Sequence, residues 1–119
     1  MITINENPKE AYDKIVEYFS RPDARLSQSN PNTCFYRHPE DGRACAVGCL
    51  ISDEDYSESN IEGLSLYSLE QTGEISVPSS ITKDFLDRAQ DQHDGAISVS
   101  QFLTTLTTTY IQDYKKFED

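Results

Sequence analysis

The stretch from Cys34 to Leu50 constrains the chain most: Cys-Phe-Tyr-Arg-His-Pro-Glu-Asp-Gly-Arg-Ala-Cys-Ala-Val-Gly-Cys-Leu. It holds all three cysteines, one of the two histidines and the most apolar run of a mostly polar sequence. Pro39, Asp41 and Gly42 signal a reversal, because glycine accepts positive φ without steric penalty. Cys34 to Arg37 reads as a short strand entering that turn. The second arm has two readings. As a strand it puts Cys45, Val47, Cys49 and Ile51 on one face; as a helix it stacks Cys45 on Cys49 with Ala46 and Leu50 beside them. Ala44, Ala46 and Gly48 suit close packing in both. A short buried helix ending at Ser52 is the favoured reading, with the strand as its alternative.

The flanking segments punctuate clearly. Residues 7 to 21 read as a helix: Asn7 caps it, Pro8 occupies its first position, and Glu10 completes a capping box. Ala11, Tyr12, Ile15, Val16 and Phe19 share one face, and Pro22 stops the helix. Residues 23 to 33 are rich in turn formers and read as loop. Leu64 to Leu69 alternates apolar residues with serines, which predicts a short strand. Ile75 to Val77 offers it a partner. A helix then opens at Ser79 or Ser80, buries Ile81, Phe85, Leu86 and Ala89, and stops at Gly95. The last helix begins near Ser98 or Ser100 and buries Val99, Phe102, Leu103, Leu106, Tyr110, Tyr114 and Phe117. The expected architecture is α+β in a single domain over 1–119: three main helices and a short antiparallel hairpin or ribbon.

Cys-Phe-Tyr-Arg, followed by Gly-Arg-Ala-Cys-Ala-Val-Gly-Cys-Leu-Ile and Asp-Glu-Asp-Tyr, resembles a family of small uncharacterised bacteriophage and bacterial proteins. Ile61-Glu62-Gly63 and the run from Gln90 to His93-Asp94 are similar to later segments of that family, so the likeness covers roughly residues 34 to 94. It departs at Ser52, where the family pattern has proline. The resemblance implies a phage-type origin and no particular activity.

With 21 acidic and 10 basic residues the net charge is -11. Such a surface repels nucleic acid phosphates and anionic membranes and favours basic partners. No apolar run approaches the roughly 20 residues that cross a bilayer. The start of the sequence lacks the pattern of a secretory signal. An odd cysteine count suits a reducing cytoplasm, of the host cell if the protein is phage-encoded.

Four candidate sites follow. Cys34, His38, Cys45 and Cys49 are zinc-type ligands, but both pairs are spaced wider than a common zinc knuckle, and cysteine packs readily as a small hydrophobe. A metal-free core and no cofactor are therefore expected. Cys45 with His38 or His93 as base and Asp94 as orienter would make a thiol enzyme. Gln90 to Gln101 scans like a calcium loop whose key carboxylates are replaced by Gln90, Gln92 and Gln101, which leaves it empty. Asp53, Glu54, Asp55, Glu58 and Glu62, with Tyr56 and Ile61 as apolar anchors, form an acidic stretch suited to a basic partner. The leading expectation is a small interaction protein that binds or inhibits a host protein with a basic surface, without catalytic residues. A cysteine-dependent enzyme and a structural zinc module are the alternatives.

Overall fold

The computed structural model describes residues 2–30, 33–38 and 42–117, with the backbone alone at 28–30, 33–34 and 117. Strand β1 (Ile2–Thr3) leads into helix α1 (Pro8–Phe19), which begins as its residues dictate. The Asn7 side chain accepts from the Glu10 amide at 2.8 Å, and Glu10 accepts from the Asn7 amide at 3.0 Å. Ala11, Ile15 and Phe19 are buried. Short strands β2 (Gln28–Asn30) and β3 (Thr33–Cys34) pair antiparallel. After them come a 3-10 turn (Gly48–Leu50), α2 (Asp53–Ser57), α3 (Leu66–Thr72), β4 (Ile75–Ser76), α4 (Ser80–Asp94) and α5 (Val99–Thr109). A π-helical turn (Tyr110–Tyr114) and a 3-10 turn (Lys115–Phe117) extend α5.

The expected α+β architecture is corrected on two counts: the fold is mostly helical, and the predicted hairpin and ribbon are not its β structure. Leu66–Thr72, read as part of a strand from its alternating leucines, is helical. The Ser65 hydroxyl caps the Ser68 amide, Leu66 and Leu69 face the core at three-residue spacing, and Gly73 closes the helix at φ 75°. Two caps and an i, i+3 pair outweigh a brief alternation. Ile75–Ser76 pairs in parallel with Ile2–Thr3, placing Ile2 opposite Ile75 and drawing the start of the chain into the core.

The Cys34–Leu50 stretch folds back at 38–43, where His38 donates its amide to Arg43 O at 2.8 Å and Gly42 has φ 74°. Pro39 and Asp41 lie outside the described residues. Arg37 and Ala44 form a single antiparallel bridge. The second arm then coils instead of extending: Cys49 donates its amide to Cys45 O and Leu50 to Val47 O, each at 3.0 Å, and Ile51 returns to extended backbone. It is shorter than the predicted helix and is not a strand.

α5 also departs from the long 3.6-residue helix expected. Phe102, Leu106, Tyr110 and Tyr114 are all buried, at a spacing of four. An α-helix drifts by about 40° at every such step; the wider π turn takes up the drift and holds Tyr114 in the core. Tyr110 stacks on Tyr12 with centroids 4.2 Å apart, tying α1 to this end.

One close approach fixes the central turn. A β-carbon at Gly48 would lie 2.1 Å from the Tyr36 carbonyl oxygen, a clash with backbone that no rotamer relieves. Gly48→Ala should cost about 3 kcal/mol or more. Urea denaturation measures the loss, and an unchanged midpoint would contradict this packing.

Candidate functional site

The acidic stretch divides into two parts. Asp53, Glu54 and Glu58 are exposed on and just after α2. Asp55, half-buried, accepts the Thr3 amide at 3.0 Å and so links α2 to β1. Tyr56, Ile61 and Glu62 serve the fold. Ile61 is 2% exposed and belongs to the core, which corrects its reading as a surface anchor. The Glu62 carboxylate accepts the Tyr36 amide at 2.9 Å, the Arg37 amide at 2.8 Å and the Tyr56 hydroxyl at 2.6 Å. Arg37 reaches back to Asp53 Oδ1 at 2.6 Å and Ile51 O at 2.8 Å, and its guanidinium lies over the Tyr56 ring.

The cysteines sit in a second network. Cys45 is 1% exposed, and its sulfur accepts the Gly48 amide at 3.3 Å. Burial pushes its thiol pKa up to about 12, so the reactive thiolate is scarce at neutral pH. Burial likewise raises Cys49, which donates to Ala46 O. His93 is buried between the rings of Phe19 and Phe102. Its Nε2 accepts the Ser27 amide at 3.2 Å, which puts the ring proton on Nδ1, 3.0 Å from Asp94 Oδ1. Gln90 donates to the same Asp94 oxygen at 2.8 Å and accepts the Val47 amide at 3.0 Å.

Gln90 joins α4 to the central turn and His93 joins it to Ser27, while the Cys45 sulfur braces the turn from within. A buried protonated thiol is poorly placed as a nucleophile. His38 is buried against the Phe35 ring. The Cys34 side chain lies outside the described residues. Among those described, no three His, Cys, Asp or Glu side chains are placed to hold a metal ion. Gln90 to Asp94 stay within α4, so the calcium-like spacing does not form a loop there.

A groove lined by acids and apolar side chains was missed from the sequence. It runs between α3 and α4, with a volume of about 760 Å³. Asp87, Asp91 and Asp94 line it from one helix, together with Cys45, Gln90, Leu64 and Tyr67. Leu64 is 44% and Tyr67 66% exposed. Burial first, then Glu70 nearby, pushes the Asp87 carboxyl up to about 6. The signal was present: Asp87, Asp91 and Asp94 fall at i, i+4 and i+7, one face of a helix.

Compared with protein-family models, curated proteins and solved structures, the chain matches none. No helix among the described residues is long and apolar enough to cross a membrane.

Two results are expected from these networks. Glu62→Ala leaves two backbone amides and a phenol without their acceptor and should cost about 2 to 4 kcal/mol, read by urea denaturation. In the native protein at pH 7.5, Cys45 should alkylate with iodoacetamide at least a hundred-fold more slowly than after unfolding, as mass spectrometry of the labelled peptide would show. Equal rates would mean that the thiol is not buried.

Proposed function

We propose that this chain is a binding protein without catalytic residues, and that a basic segment of a partner protein lies in the groove between α3 and α4. One observation carries the reading: three aspartates and two exposed apolar side chains line a single cleft. Lysine and arginine combine an aliphatic stem with a cationic head, and a cleft with apolar and acidic walls satisfies both parts. Burial first, and Glu70 second, raise Asp87, and a bound cation would favour its ionised form, since a nearby positive charge stabilises carboxylates. The exposed acids Asp53, Glu54 and Glu58 add to the negative field that draws such a partner in.

The resemblance implies a phage-type origin, which would make the partner a host protein; its basic surface follows from the net charge of -11. A reducing cytoplasm is the proposed setting, and it keeps Cys45 and Cys49 as thiols.

An octalysine peptide tests the groove directly. It should bind with an affinity that falls as salt is added. Asp87→Asn with Asp91→Asn should weaken it about ten-fold, the loss of roughly 1.4 kcal/mol, whereas Glu54→Gln with Glu58→Gln should weaken it far less. Affinity should also drop as the pH falls from 7.5 through about 6, because Asp87 takes up its proton there. Equal losses from the two double variants would move the site out of the groove.

A further inference from the structure

Three of the five arginines lie over tyrosine rings of the same chain. Arg21 is 4.1 Å from the Tyr18 centroid, Arg37 5.1 Å from that of Tyr56, and Arg88 5.5 Å from that of Tyr114. In two of these the guanidinium also bonds a carboxylate: Arg37 reaches Asp53 at 2.6 Å and Arg88 reaches Asp113 at 2.8 Å. A guanidinium does both at once, because its flat faces stack on a ring while its N–H groups point outward in the plane. Arg21 and Arg37, with Arg25 and Arg43, line a second groove of about 950 Å³ between the end of α1 and the central turn. These arginines serve the fold: Arg21 donates its Nε to Tyr18 O and Arg43 its Nε to Leu26 O, each at 2.9 Å.

The acidic groove brings together the same two kinds of group, a tyrosine ring and carboxylates, without an arginine. Of the seven tyrosines, Tyr18, Tyr56 and Tyr114 lie beneath arginines, Tyr12 and Tyr110 stack on each other, and Tyr36 is buried. Tyr67 is 66% exposed and meets no ring or cation among the described residues. Asp87 and Asp91, one helical turn apart on α4, line the groove with it, and neither side chain has a hydrogen-bond or ion-pair partner among the described residues. The bases beside them are engaged elsewhere: Lys83 pairs with Glu70 at 3.3 Å and Arg88 with Asp113. Asp94 is occupied by Gln90 and His93. α3 presents Tyr67 from a fixed platform. Ser65 caps its first turn, Leu66 and Leu69 are buried in the core, and the Tyr36 hydroxyl donates to Leu64 O at 2.8 Å just before it.

We propose that the acidic groove selects arginine over lysine in the basic segment it binds, with Tyr67 as the specificity-determining residue and Asp87 and Asp91 as the carboxylates. This rests on the binding of a basic segment in that groove and adds the choice of side chain. A lysine ammonium is a compact, strongly hydrated charge that pairs with a carboxylate and gains little from an exposed ring. The guanidinium is weakly hydrated and planar, so ring and carboxylate both contribute. An exposed contact of this kind changes affinity by a factor of about two to five.

Fluorescence anisotropy with labelled octaarginine and octalysine, at pH 7.5 and matched salt, tests the proposal. Octaarginine should bind about three- to five-fold tighter than octalysine. Tyr67→Leu keeps an apolar side chain and a good helix former at this exposed position. It should bring the ratio of the two affinities close to one, with octalysine little changed and the circular dichroism as before. Tyr67→Phe keeps the ring and should keep the preference. A ratio of one in the native protein, or a preference that survives in Tyr67→Leu, would overturn the selection of arginine. Asp87→Asn with Asp91→Asn separates this from the groove itself. If that double variant weakens both peptides while their ratio is one, the selectivity falls and the binding of a basic segment stands. If it weakens neither, or neither peptide binds the native protein, both fall together.

Discussion

The Glu62 carboxylate holds the two grooves in place. It takes the backbone amides of Tyr36 and Arg37 on its two oxygens and the Tyr56 hydroxyl on one of them. Phe35 and Tyr36 line the acidic groove and Arg37 the arginine groove, so the clamped backbone is the wall they share. A strand ladder would normally satisfy such amides. Here a side chain does so, because the reversed arm meets its neighbour at a single bridge and then coils away. The Gly48 backbone packs beneath the Tyr36 carbonyl, which secures the same wall from the other side.

This arrangement separates charge within a chain whose overall balance is strongly acidic. The acids of α4 line one cleft and the arginines of residues 21 to 43 the other. Net charge describes the far field that an approaching molecule meets first. The near field differs from cleft to cleft, because salt screens charges over about 10 Å.

Much of the helical frame was legible, because capping is local chemistry. Asn7, Ser79 and Ser98 each cap the amide three residues on, and Gly95 ends α4 as expected. What escaped depends on partners distant in sequence. The strand at Ile2 exists only because Ile75 lies beside it, and the alternation at Leu64 to Leu69 yielded to caps at both ends of α3. The acidic stretch was visible as composition, but its division into exposed acids and the Glu62 clamp rests on contacts with residues 36 and 37. The arginines were scattered along the sequence and became a cluster only when the chain folded back. The resemblance drew attention to the central motif, whose Gly48 and Cys45 prove to be packing residues.

The parallel pairing of β1 with β4 has a consequence for the order of assembly. Ile2 is made well before its partner Ile75, with α1, α2 and α3 between them. Until the β4 segment is made, the Ile2 and Ile4 amides lack their acceptors, Glu74 O and Ser76 O, and both side chains lack part of the core that buries them. α1 can form its capped turns early, but the elements around it cannot close. A contact so distant in sequence delays the reward for ordering everything between, which slows folding relative to a bundle of neighbouring helices. Between the synthesis of β1 and that of β4 the nascent chain therefore carries an uncovered apolar segment, an interval in which a chaperone has something to hold.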